Sequence, residues 1–128
     1  MSERMETGCC IAGGGPAGMM LGYLLARQGI DVTVLEKHGD FLRDFRGDTV
    51  HPSTMQVLDE LGLLEAFLKR PHQKTERVAL HLNDRAYEIA DFTHLPVAAR
   101  FIAFVPQWEF LDFLADEARK LPNFRLMM

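Results

Sequence analysis

The chain has 128 residues, a hydrophobic fraction of 48%, a charged fraction of 25% and a formal net charge of -4. That length is enough for one domain with its own core, and the balance is that of an ordinary globular protein. The fourteen basic residues are scattered and form no patch with interleaved aromatics, which argues against nucleic acid as a partner.

The first informative run is uncharged, from Thr7 to Ala26. Such a run has the length of a membrane span, but Gly13, Gly14, Gly15 and Pro16 fall at its middle, where a helix would lose several times ~1 kcal/mol. The opening MSERMET is mixed in charge, unlike a signal peptide. The expectation is a cytoplasmic chain with no membrane segment. Read in pieces, TGCCIA (Thr7 to Ala12) is an apolar strand expected to be buried on both faces. Cys9 and Cys10 are expected to be two small buried residues: neighbours on a strand point to opposite faces, and a lone adjacent pair is no disulfide framework. Pro16 suits a first helical position. Ala17, Met20, Leu21, Leu24 and Leu25 recur at helical spacing and predict the apolar face, and Gly29 ends the helix. DVTVLE, Asp31 to Glu36, is a second apolar strand closed by charge. The unit is β-turn-α-β, with the right-handed crossover such units take.

Inside it lies Gly13-x-Gly15-x-x-Gly18. Gly13 permits the tight turn off the strand, Gly15 lets a pyrophosphate approach the backbone, and Gly18 lets the helix pack close on the sheet, with Gly22 extending that contact. The helix start offers unpaired N–H groups and partial positive charge to phosphates. The stretch Gly13, Gly14, Gly15, Pro16, Ala17 and Gly18 is therefore the expected phosphate cradle. Glu36 stands 18 residues after Gly18, at the end of the second strand. A carboxylate there accepts from both ribose hydroxyls of an adenosine, at about 1.5–3 kcal/mol per charge-assisted bond, and repels a 2′-phosphate, which disfavours NADP. Lys37 is placed along the adenine. Spacing alone does not separate FAD from NAD.

Further on, Pro52 and Ser53 suit a helix start, with Val57, Leu61, Leu64 and Leu68 as its face and Gly62 as a break. VALHL and AYEIADF flank Asn83-Asp84 and predict a hairpin reaching toward a second domain. Phe110, Leu111, Leu114 and Ala118 form another apolar helix face, ended by Pro122, and Phe124 to Met128 begins a further strand. The histidines at 38, 51, 72, 81 and 94 lack ligand spacing, so no metal site is expected.

The run CCIAGGGPAGMMLGYLLARQGIDVTVLEKH resembles the N-terminal fingerprint of FAD-binding flavoproteins. FRGDTVHPSTMQVLDELGLLEAF, Phe45 to Phe67, resembles the segment after the second strand in the FAD-dependent aromatic hydroxylases, the single-component flavoprotein monooxygenases that include p-hydroxybenzoate hydroxylase. VPQWEFLDFLADEARKLPNFRL, Val105 to Leu126, resembles that family's later segment, and the likeness is weakest from Lys69 to Ala99. The resemblance implies FAD as the cofactor, with NAD as the competing dinucleotide. It implies that Arg46, standing before Gly47, contacts the FAD, with Arg43 as the weaker alternative, and that Gln107 starts a helix and reaches the ribityl region. The implied fold is α/β, a Rossmann-like βαβ FAD-binding domain with a parallel sheet and an inserted hairpin. Within one such domain, residues 1–38 would be the fingerprint, 45–69 a helical segment, 78–92 the hairpin excursion, and 105–128 a helix and the next strand.

The implied activity is hydroxylation of an aromatic or similar small substrate with NAD(P)H and O₂. The alternatives are a related FAD-dependent halogenase or reductase, and a non-catalytic nucleotide-binding remnant. No residue reads as an acid, base or nucleophile, so no catalytic residue is assigned. The family's later Gly-Asp motif and its middle Asp-Gly motif are absent. The chain is therefore expected to be a truncated N-terminal portion or a degenerate gene product, inactive alone, with unpaired sheet edges and an uncovered apolar face.

Overall fold

Strand-length apolar runs separated by glycines and by two amphipathic stretches become alternating strands and helices. The computed structural model describes residues 3–42 and 47–128. In chain order its elements are β1 (Cys9–Ala12), α1 (Pro16–Arg27), β2 (Val32–Leu35), β3 (Thr49–Val50), α2 (Pro52–Glu60), α3 (Leu64–Leu68), β4 (Gln73–Thr75), β5 (Arg77–Leu82), β6 (Arg85–Asp91), β7 (Ile102–Phe104), α4 (Gln107–Ala118) and β8 (Phe124–Met127). They fall into two compact units, one of Met1–Asp44 with Trp108–Met128, the other of Phe45–Gln107.

The first unit holds a parallel sheet in the order β1-β2-β8. Gly15 is the N-cap of α1 and Pro16 opens the helix, which ends in a paired cap: Gly29, at φ +88°, donates to the carbonyl of Ala26, and Ile30 donates to that of Leu25. This is the glycine-closed helix end in which a left-handed residue satisfies the last carbonyls. Asn123 strengthens it from across the unit, its side-chain amide donating to the carbonyls of Ala26 at 2.7 Å and Ile30 at 2.6 Å. That ties the start of β8 to the end of α1.

The buried face of α1 differs from the expected one. Met19, Gly22, Tyr23 and Ala26 are buried, whereas Ala17 and Leu21 are exposed and Met20, Leu24 and Leu25 are half-buried. The leucine stripe loses to the face that carries Gly22, the position where the sheet lies too close for a side chain. A Cβ on Gly22 would stand 2.8 Å from Val34 Cγ2 and 3.0 Å from Phe124 Cε2. Val32, Val34 and Phe124 are buried on that side, while α4 buries Phe110, Leu111, Phe113, Leu114, Ala115 and Ala118, including all four residues of its expected face.

β1 also departs from expectation. It is an edge strand and only half covered: Cys9 and Ile11 are partly buried, while Cys10 and Ala12 are exposed. The cysteines are thus not two buried residues. In register, Cys10 lies beside Thr33, Ala12 beside Leu35, and Leu35 beside Met127, so these share the sheet face opposite α1. Leu35 and Met127 are exposed there. Thr33 is buried on that face: its hydroxyl donates to Thr7 Oγ1 at 3.1 Å and accepts from Arg125 Nε at 3.3 Å, and Arg125 holds both carboxylate oxygens of Asp31 at 2.9 and 3.0 Å.

In the second unit, β7 lies between β3 and β4 in a small antiparallel sheet, and β5 pairs with β6 as a separate hairpin. Asn83 and Asp84 take φ of 47° and 63°, the double left-handed turn that hairpins favour. Gly62, at φ +75°, breaks the helical segment into α2 and α3. The break also shifts the helical phase. Met55, Leu58, Leu63, Leu64 and Phe67 are buried; of the expected face only Leu64 is, with Val57 exposed and Leu61 and Leu68 half-buried. Among the described residues no helix is long and apolar enough to cross a membrane.

Candidate functional site

The site forms at the carboxyl ends of β1 and β2, where open α/β sheets place their ligands. Two ladder bonds carry the sheet past the strand ends: Gly13 donates to the carbonyl of Leu35 at 2.7 Å, and Glu36 donates to that of Met127 at 2.8 Å. The turn residues Gly13–Gly15 and the acid Glu36 are thereby held side by side.

Each glycine of the turn has its own constraint. Gly13 sits at φ +115°, a conformation other residues rarely adopt. A Cβ on Gly18 would run into the carbonyl oxygen of Gly13 and stand 3.4 Å from Ile11 Cγ2. Gly18 therefore packs the helix against the turn, and Gly22 makes the close approach to the sheet. Around Gly15 nothing lies within 4 Å of where a Cβ would be. This space faces the start of α1, whose first N–H groups lack intrahelical acceptors by helix geometry. The N-cap Gly15 brings no side-chain bond to them and no acid stands in the first turn, so among the described residues the positive end of the helix has the character of an anion site. The space is of the kind a side chain would fill and a phosphate fits.

Gly14 carries a constraint that the spacing alone did not reveal. Its N–H donates to Glu36 Oε2 at 3.1 Å, and a Cβ on it would stand 3.0 Å from Glu36 Cβ. The other oxygen, Oε1, faces His38, with the main-chain N–H at 3.3 Å and ring Nδ1 at 3.1 Å. Burial pushes the Glu36 pKa up, but the hydrogen bonds from the His38 ring, the His38 N–H and the Gly14 N–H outweigh it, and the carboxyl sits below its ordinary value. Glu36 is thus a carboxylate at neutral pH, its side chain 13% exposed. Beside it opens a cleft of about 480 Å³ lined by Ala12, Gly13, Leu35, Glu36, Lys37, Met127 and Met128. Lys37 is exposed at its rim.

Of the residues expected to bind a cofactor, Gly13, Gly14, Gly15, Pro16, Ala17, Gly18, Glu36 and Lys37 come together in the first unit. Gln107 lies in the second unit. It is the first residue of α4, its N–H donates to the carbonyl of Gly47 at 3.2 Å, and its Nε2 stands 3.8 Å from where a Gly47 Cβ would be. Arg43 and Arg46 lie outside the described residues. Sequence reasoning missed His38, Leu35, Met127 and Met128. The last two could have been found by placing the third strand beside the second, since its carboxyl end then flanks Glu36.

Known proteins resemble this chain along most of its length. Residues 6–128 match the family described as FAD binding domain. The chain is 32% identical over 123 residues to 6-methylpretetramide 4-monooxygenase of Streptomyces rimosus, covering 96% of this chain and 29% of that protein. It is 30% identical over 117 residues to the uncharacterized aromatic compound monooxygenase YhjG of Bacillus subtilis, covering 91% of this chain and 23% of that protein. Among solved structures, p-nitrophenol 4-monooxygenase of Pseudomonas putida superposes with a TM-score of 0.82 at 27% identity, over 95% of this chain and 32% of that one. The chain thus spans less than a third of the length of these relatives. A match over nearly every residue, with the glycine turn and the strand-end acid inside it, places the chain in the FAD binding domain family.

Proposed function

We propose that this chain is the FAD-binding portion of a flavin-dependent monooxygenase that hydroxylates an aromatic or similar small substrate with NAD(P)H and O₂. The observation that carries the reading is the pairing of open space at Gly15, at the start of α1, with a held carboxylate at Glu36. The N–H groups of the α1 start, Ala17 and Gly18 among them, hold the pyrophosphate. Glu36 accepts from the adenosine ribose. Lys37 and the cleft beside Leu35 and Met127 take the adenine. Arg46 and Gln107 serve the ribityl side, as the family pattern suggests.

When bound, FAD supplies the redox chemistry: it takes up hydride and activates oxygen. This chain's residues bind and orient it, and none of them is assigned a proton transfer. The aromatic substrate class follows the relatives, two of which are named for aromatic compounds, and a cytoplasmic location suits a reaction fed by NAD(P)H.

The test is a titration of the purified protein with FAD and with NAD, followed by quenching of Trp108 fluorescence, with the visible spectrum recorded beforehand. Tighter binding of FAD, or yellow flavin carried through purification, is the expected result. Tighter binding of NAD overturns the cofactor assignment. Substrate-stimulated NAD(P)H oxidation by the full-length protein then tests the monooxygenase assignment.

A further inference from the structure

A carboxylate offers about four lone-pair positions, two on each oxygen. At Glu36 three are in use: Oε2 accepts from the Gly14 N–H, and Oε1 from both the N–H and the ring of His38. Nδ1 can approach a carboxylate oxygen at 3.1 Å only as a donor, so it carries a proton in this contact. The two main-chain donors are fixed by the backbone on either side of the acid. The ring is not, for its side chain is 45% exposed against 13% for Glu36. An adenosine ribose needs one position on each oxygen, and only Oε2 has one to spare.

We infer that the His38 ring is a displaceable stand-in for one ribose hydroxyl: it holds Glu36 Oε1 until the nucleotide arrives, then turns out to solvent. His38 is thus a positioning residue acting through Glu36. It keeps the acid extended toward the turn, and it competes with the ligand for one acceptor site. The inference rests on Glu36 being the ribose acceptor.

The probe is ADP, which carries the ribose and pyrophosphate without the flavin, alongside its 2′-deoxy and 3′-deoxy forms. Binding to the full-length protein is measured by isothermal titration for the unaltered protein and for His38→Ala, His38→Gln and Glu36→Ala. Loss of the ring should tighten ADP roughly threefold to tenfold, the worth of one net hydrogen bond. The gain should vanish for the deoxy form that lacks the hydroxyl taking Oε1. Gln, which restores an N–H donor of similar reach, should bring the affinity back to that of the unaltered protein. Unchanged or weaker ADP binding by His38→Ala, with Glu36→Ala still weakened, overturns the stand-in role alone, as does an equal gain for all three nucleotides. Equal ADP affinity with and without the Glu36 carboxylate, or no ADP binding by any form, overturns the ribose assignment and this inference with it.

Discussion

The main-chain N–H of Gly14 donates to Glu36 Oε2 at 3.1 Å, so the glycine turn and the strand-end acid are one hydrogen-bonded unit. In the proposed function, the two halves of a nucleotide meet parts that cannot shift independently. Glu36→Ala should weaken FAD binding to the full-length protein at least about tenfold, since each bond from a ribose hydroxyl to a carboxylate is worth about 1.5–3 kcal/mol. An unchanged dissociation constant would remove Glu36 from the ribose role.

Alanine at Gly14 and at Gly15 should have different effects, although the two are adjacent. Gly14→Ala places a methyl 3.0 Å from Glu36 Cβ and 3.1 Å from Oε2, so the carboxylate must move. Gly15→Ala meets nothing within 4 Å, and φ -78° with ψ -175° suits alanine. Gly15→Ala should therefore cost no more than a poorer helix cap, about 1 kcal/mol, and yet block the approach of the pyrophosphate. Chemical denaturation beside FAD titration separates the two. A Gly15→Ala protein that binds FAD normally would show that no phosphate passes there.

Gly22→Ala tests packing without touching the site. Its methyl would stand 2.8 Å from Val34 Cγ2 and 3.0 Å from Phe124 Cε2, both in the core. Overpacking of this kind costs about 1–3 kcal/mol. A lower urea midpoint with unchanged slope is expected, and an unchanged midpoint would mean that α1 can ride away from the sheet.

The depressed pKa of Glu36 sets a pH dependence. A carboxyl whose folded-state pKa lies below its ordinary 4.5 stabilises the fold fully above that value. The contribution fades as pH falls through the lower folded-state pKa. The stability advantage of the unaltered protein over Glu36→Gln should hold near neutral pH and shrink in acid. Denaturation curves for both proteins at neutral pH and below about pH 4 read this directly, and an advantage that grows in acid would contradict the assigned bonds.

The first βαβ unit was legible because its signals are local. Gly13, Pro16 and Gly29 mark a turn, a helix start and a helix stop, each within a few residues of what it controls. The face of α1 was not, because apolarity pointed to Leu21 and Leu25 while the buried face is the one that carries Gly22, where the sheet leaves no room for a side chain. Burial of β1 was misread for a related reason: strand composition does not say whether a neighbour lies on its far side. The short strands β3, β4 and β7 were missed, being two or three residues each and too brief to show alternation. At the site, the turn glycines and Glu36 were legible from spacing. His38 and Met127 were not, since one reaches Glu36 by a side-chain contact and the other flanks it through strand order.

The sheet order β1-β2-β8 also has a kinetic consequence. Arg125 meets Thr33 across 92 residues of chain, and the register of β2 against β8 is made of pairs of that kind. Closing so long a loop carries an entropic cost before any contact repays it, and folds dominated by such pairs assemble slowly. During synthesis β1, α1 and β2 leave the ribosome long before their third strand exists, and in that interval the β2 edge is open to pairing with other chains. The cleft beside Glu36, which Met127 helps to wall, takes shape only when the pairing of β2 with β8 closes. A cofactor held in that cleft would enter only after sheet closure.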